Sequence, residues 1–261
     1  MRNAKPPREH LRNGAIALAV LLALAALFLL PPGERALGGL FAFSADGAAV
    51  AAYPAKLRRK LMRRGEPYVG YSQIPQWLDR AIISVEDKRF LLHGGIDPIA
   101  LVRVLIENIE NDRVDHGGST ITLQLARMIL HVPRRQPTFF AYVASELRIV
   151  RAAFVVEHDF DKQKILELYL NSVYLGRGAT GVAAGARAYF NTGLERLTQA
   201  RCIYMAGLPQ APARFGADPA GASSMARYRH VIATMERNGF LSKQQAAGFD
   251  GAQLFSHLPD K

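Results

Sequence analysis

Seventeen consecutive residues without a charge, GAIALAVLLALAALFLL from Gly14 to Leu30, constrain where the rest of the chain can fold. As a helix they span about 26 Å, close to the ~30 Å hydrocarbon core of a bilayer, and Pro31 and Pro32 end the run. Arg2, Lys5, Arg8 and Arg12 precede it against Glu9 alone, which predicts a cytoplasmic N-terminus. The remainder would then lie outside that membrane, in the periplasm where there is one. A cleaved signal peptide is the alternative, but the run is long for one and no A-x-A follows promptly.

The formal net charge of +11 suits anionic partners, whether nucleic acid, acidic headgroups or a phosphorylated substrate. The apolar run favours a lipid-linked substrate or membrane partner over nucleic acid. A hydrophobic content of 49% excludes a mainly disordered chain. The single cysteine, Cys202, excludes an intramolecular disulfide and reads as a buried, inert thiol. KLRRKLMRRGE, from Lys56 to Glu66, is either a solvated helix face or a patch resting on acidic headgroups.

From Ile74 onward the apolar residues keep helical spacing, which predicts a mainly α domain. Helices are expected from Pro75, from Asp97 as N-cap with Ile99, Val102, Ile106 and Ile109 on one face, and from near Thr120. Others are expected over roughly 138–158, 162–170, 181–189, 197–208 and 223–237. GEPYVGY is the best strand candidate.

Polar residues collect in few places. Thr120, Gln124, Arg127 and His131 form one stripe on an otherwise apolar helix, facing either a cleft or solvent. HGGST before it offers a helix start to an anionic group. Glu146 and Glu157 share a face of the long helix, with Arg148 and Arg151 beside them. YLGRGATG lacks the Lys-Ser/Thr ending of a nucleotide P-loop, and His116, His131 and His158 lack metal-ligand spacing. In SVEDKRFLLHGG, Glu86 and Asp87 end the apolar run AIISV, at a helix end whose dipole opposes acids. A half-buried Glu86 at a cleft would suit a general base or acid, and His93 and Gly95 would shape the loop behind it.

These pieces in this order resemble the peptidoglycan glycosyltransferases of glycosyltransferase family 51. The first motif, ED-x-x-F-x-x-H-x-G, is matched by Glu86, Asp87, Phe90, His93 and Gly95. GGSTITLQL resembles the second, with Leu123 where a Gln is expected and Arg127 where a Lys is usual. ILELYLNSVYLGRGATG, with Asn171, resembles the fourth, and AGLPQAP the fifth. The likeness covers about residues 70–215. At the third motif, R-K-x-x-E, Ile149 stands at the expected Glu; Glu146 lies three residues earlier, rotated by about 60°.

The resemblance implies a lysozyme-like glycosyltransferase domain with a small membrane-proximal lobe, polymerising lipid II with release of undecaprenyl pyrophosphate. It divides the chain into a cytoplasmic tail (1–13), a transmembrane anchor (14–31), a basic linker (32–70) and the glycosyltransferase domain (71–261). Glu86 would be the general base and Glu146 a candidate second acid. Ser119, Thr120, Gln124, Arg127, Arg148 and Asn171 would bind substrate or pyrophosphate, and a divalent cation, Mg²⁺, is implied. Lipid II, the lipid-linked glycan strand, the membrane and other cell-wall synthases are the expected partners. The fifty or so residues after the fifth motif imply a monofunctional polymerase. Ile149 and Leu123 make a catalytically weakened, lipid II-binding scaffold the alternative, and a lytic hydrolase a remoter one.

Overall fold

Side chains set most of the helix starts. In the computed structural model, which describes residues 44–100, 103, 119–133, 135–251, 254 and 255, six of the helices α1 to α10 begin at a Ser, Thr or Asp whose oxygen accepts a backbone N–H of the first turn. The molecule is mainly helical. Helix α1 (Ala45–Arg63) is capped by Ser44, and α2 (Gln76–Glu86) follows Pro75, which stands one position before the helix. Then come α3 (Ile121–Ile129), α4 (Phe139–Asp159) and α5 (Lys162–Ser172), capped by Thr120, Thr138 and Asp161. A two-stranded hairpin, β1 (Tyr174–Gly176) and β2 (Ala179–Thr180), precedes α6 (Val182–Phe190). The chain continues through α7 (Gln199–Gly207), α8 (Pro212–Ala217), α9 (Ala222–Arg237) and α10 (Lys243–Ala247).

Two packed groups meet at the middle of the fold. Helix α2 lies against α7 and α9, while α3 lies against α4 and α5, with α1 covering α4 and touching α3 and α5. The shared core contains Leu78 and Ile82 of α2, Leu125 of α3, Ile149 and Ala153 of α4, Tyr169 of α5 and Met205 of α7. Residues 45–63, within the stretch read as a linker, thus form a helix that buries Val50, Tyr53, Leu57 and Leu61 and turns its basic residues outward. Pro54 lies inside it, which removes one donor from the helix and hides it from a sequence reading.

The strand expected at GEPYVGY is extended chain without a strand partner. Asn171 of α5 takes the partner's place: its Oδ1 accepts from Val69 N at 2.9 Å and its Nδ2 donates to Val69 O at 2.8 Å. YLGRGATG is the hairpin, turned by Arg177 and Gly178, both at positive φ, as tight hairpin turns require. Cys202 is buried, and burial pushes its thiol up to about 12, so it stays an unreactive thiol at neutral pH.

Among the described residues no helix is long and apolar enough to cross a membrane. The tail and anchor read over 1–31 lie outside the described residues, as do His116–Gly118 and most of the helix begun at Asp97. The lobe between Asn108 and Gly117 does too. Asp97 itself caps as expected, accepting from the N–H groups of Ile99 and Ala100, both at 3.0 Å.

Candidate active site

Glu86 is the last residue of α2 and is half-buried. Its Oε2 accepts a hydrogen bond from Gln124 Nε2 at 2.8 Å, which joins the end of α2 to the polar stripe of α3. One turn along that stripe, Arg127 Nη2 donates to both oxygens of Glu146, at 2.7 and 3.0 Å. Burial, and next the Glu146 carboxylate, push the Tyr142 phenol above its ordinary range, which places Tyr142 beside that pair. The stripe therefore faces protein carboxylates from two sides: Glu86 from α2 and Glu146 from α4.

Asp87 is the neighbour of Glu86 but points inward, 7% exposed. Its carboxylate accepts from His93 Nε2 at 3.0 Å and from Ile121 N, the first residue of α3, at 3.1 Å. Gly95 N donates to His93 Nδ1 at 3.2 Å, so the ring proton belongs on Nε2. An acid that would oppose the dipole of α2 is thereby set at the positive end of α3. Gly95 lies at φ +111, and a Cβ there would come within 3.2 Å of Glu157 Cγ. Phe90 is buried beneath the loop, 1% exposed, with Lys162 Nζ 4.5 Å from its ring centre.

Glu157 faces the same helix from α4. It accepts from Thr122 Oγ1 and from Lys162 Nζ, and Lys162 also donates to His93 O at 2.6 Å. The shared face of Glu146 and Glu157, expected from their spacing, is thus the one turned to α3.

Several residues read as binding groups are committed elsewhere. Thr120 is 2% exposed; its hydroxyl donates to Gly95 O at 2.6 Å and accepts from Leu123 N at 3.1 Å, so it caps α3 rather than receiving an anion. Asn171 is 1% exposed and its amide also donates to Glu167 O at 2.8 Å, so it holds Val69 and α5 together inside the core. Arg148 is tied to Asp46 of α1 at 2.6–3.0 Å, and that carboxylate holds its guanidinium above the usual range. Thr120 and Asn171 are thus engaged inside the fold, and Arg148 is paired with α1 at the surface. His131 leaves the stripe, at φ +52 just past the end of α3. Ser119 is exposed at the start of α3, and Ile149 is 1% exposed in the core.

Two residues escape the motif reading. Arg227 of α9 is half-buried, with Nε donating to Gly207 O at 3.0 Å. Burial pulls its guanidinium below the usual range, and the Glu86 carboxylate counters part of that, which sets Arg227 toward Glu86. An arginine on the stripe of Ser224, Tyr228 and Val231 was the signal available in sequence. The other is Tyr169 of α5, wholly buried, whose hydroxyl donates to Gln124 Oε1 at 3.2 Å.

Among the described residues no three His, Cys, Asp or Glu side chains cluster as metal ligands. The carboxylates of the site instead meet Gln124, Arg127 and Lys162.

Comparison with known proteins agrees with this geometry. The family model described as Transglycosylase matches residues 55–236, from within α1 to within α9. A Cupriavidus necator protein whose name assigns it provisionally to the transglycosylases is 37% identical over 217 residues, covering 83% of this chain and 90% of that protein. Penicillin-binding protein 1A of Aquifex aeolicus is 36% identical over 178 residues, covering 68% of the chain, and that of Escherichia coli 35% identical over 203 residues, covering 78%. The chain spans only 24% and 22% of those two longer proteins. With its motif residues gathered on α2, α3 and the loop between them, and with the family model matched across most of its length, the chain belongs to the transglycosylase family.

Proposed function

We propose that the protein is a peptidoglycan glycosyltransferase that polymerises lipid II into glycan strands. Glu86 takes the proton from the 4-hydroxyl of the acceptor sugar as that oxygen forms a bond to the donor's anomeric carbon. The bond from that carbon to the pyrophosphate oxygen breaks, and undecaprenyl pyrophosphate leaves with the electron pair. One base and one good leaving group suffice for such an inverting displacement. The observation that carries this reading is Glu86 itself. It is a half-buried carboxylate at the negative end of α2, and its Oε2 accepts a hydrogen bond from the Gln124 amide. Burial and the helix end favour proton uptake, while the amide keeps the carboxylate ionised until the acceptor arrives.

Arg127, with the exposed Ser119 at the start of α3, is the candidate seat for the pyrophosphate. Glu146 acts through Arg127: it holds the guanidinium against the stripe until a more highly charged group replaces it. No step is routed through a metal ion. The apolar run at Gly14–Leu30 would anchor the domain at the outer face of the cytoplasmic membrane. The full chain should then sediment with membranes after an alkaline wash, and release into the supernatant would refute the anchor.

The test of the chemistry is polymerisation of labelled lipid II by the detergent-purified full chain. Glu86→Gln should lower the rate by about 10²–10⁴-fold with the fold intact, the usual span for a general base. Glu146→Gln should cost far less, since its carboxylate does not take the proton. The second reading, a lipid II-binding scaffold, is favoured by Ile149 being buried where the resemblance expects an acid, and by Arg127 being already paired. Lipid II bound but never polymerised by wild type would decide for it.

A further inference from the structure

Gln124 stands between the base and the core, and its amide has a donor end and an acceptor end that are not equivalent. The donor end meets Glu86 Oε2 at 2.8 Å, and the acceptor end receives the hydroxyl of Tyr169 at 3.2 Å. Tyr169 is wholly buried on α5, so its ring cannot swing away.

We propose that Tyr169 is a positioning residue for the general base: its hydroxyl, donating to Gln124 Oε1, holds the amide in the orientation that presents N–H to Glu86. The proposal deepens the reading of Glu86 as the base and rests on it. An amide turned the other way would set its carbonyl oxygen against the carboxylate, where only a protonated Glu86 could donate to it. The orientation seen is thus the one matched to an ionised Glu86, ready to take a proton. Tyr169 supplies the donor that makes this orientation complete, since otherwise Gln124 Oε1 would face the buried side without a hydrogen from that phenol. The arrangement also explains how a residue of α3 can be aimed so closely: the core fixes one end of its side chain and the cleft uses the other.

Other charges act on Glu86 and must stay constant in any test. Arg227 of α9 couples to it electrostatically. Asp87, next in the chain, is engaged by His93 and Ile121 N, and Arg127 of α3 by Glu146. Neither α5 nor Tyr169 takes part in those pairs, so removing the Tyr169 hydroxyl leaves them in place.

The experiment is the pH dependence of lipid II polymerisation by the full chain in detergent, for wild type, Tyr169→Phe, Gln124→Leu and the double variant. Losing one neutral hydrogen bond should move the acid limb of kcat/KM up by about half to one pH unit in Tyr169→Phe. Near the plateau, kcat and KM should stay within about twofold of wild type. In the Gln124→Leu background, adding Tyr169→Phe should change nothing further, because the hydroxyl then has no amide to orient. A loss of rate equal at all pH values, or one as large in the Gln124→Leu background, would overturn the proposal and leave Tyr169 a packing residue. A second readout does not need turnover. In full chain labelled at the Glu carboxyl carbons, with Glu86→Gln identifying the signal, Tyr169→Phe should raise the pH at which Glu86 titrates. An unmoved titration overturns the relay even if the protein polymerises. Absence of polymer from wild type with the titration moved would instead refute the function and keep the relay.

Discussion

At the scale of single residues, two adjacent acids have opposite duties. Glu86 stays half-buried at the end of α2, while Asp87 turns inward and binds the His93 loop to the first N–H of α3. Replacing Asp87 with Ala would leave His93 Nε2–H and Ile121 N–H buried without that acceptor. The expected cost is about 2–4 kcal/mol. That corresponds to a fall of about 5–15 °C in the unfolding midpoint of a domain this size. Calorimetry of the purified variant checks it, and a midpoint within a degree or two of wild type would show that the carboxylate is not holding the loop. The sequence showed that Glu86 and Asp87 mattered, since both fall in one motif. It singled out Glu86 as the candidate base but did not show the inward turn of Asp87, because a bend at a helix end sends consecutive side chains in directions no periodicity predicts.

At the scale of elements, the helices were largely legible and their partners were not. Apolar spacing located α3, α4 and α5 to within one or two residues. Helix α1 was obscured by Pro54, and α8 and α10 are too short to show a period. Asn171 illustrates the other limit. In sequence, its place in the fourth motif makes it a ligand candidate. In the fold it completes the hydrogen bonding of a segment a hundred residues away in the chain, a pairing that pattern cannot encode. Asn171→Ala would strand Val69 N and O, so a loss of about 2–3 kcal/mol is expected. Denaturant unfolding with an unchanged slope would measure it; a stability equal to wild type would mean Val69 finds other partners. Arg148 likewise meets Asp46, which lies in α1 before the basic cluster that was legible as a helix face.

At the scale of the whole molecule, the segment before α2 is tied to α5 by ionised groups, and that tie depends on pH. Burial alone would push the Glu167 carboxyl up, but hydrogen bonds from Lys164, Tyr68 and the Tyr71 N–H outweigh it and hold the group below its ordinary 4.5. A carboxyl lowered by folding stabilises the native state above about pH 4.5, and that stabilisation is lost as pH falls through the lowered value. The unfolding midpoint should therefore drop on acidification below about 4.5, and more steeply in wild type than in Glu167→Gln. Parallel curves would mean that this tie contributes nothing to acid sensitivity.

The ion pair between Arg127 and Glu146 has a consequence at this scale as well. A guanidinium already held by a carboxylate is a poor trap for stray anions, since a free phosphate must displace its partner at whatever concentration the surroundings supply. A pyrophosphate delivered on a lipid is in a different position. Once its sugar or its lipid is held, its local concentration at Arg127 is set by the tether and can reach the millimolar range. The resting pair would in this way act as a filter for tethered anions, admitting a ligand by how it arrives as much as by what it carries.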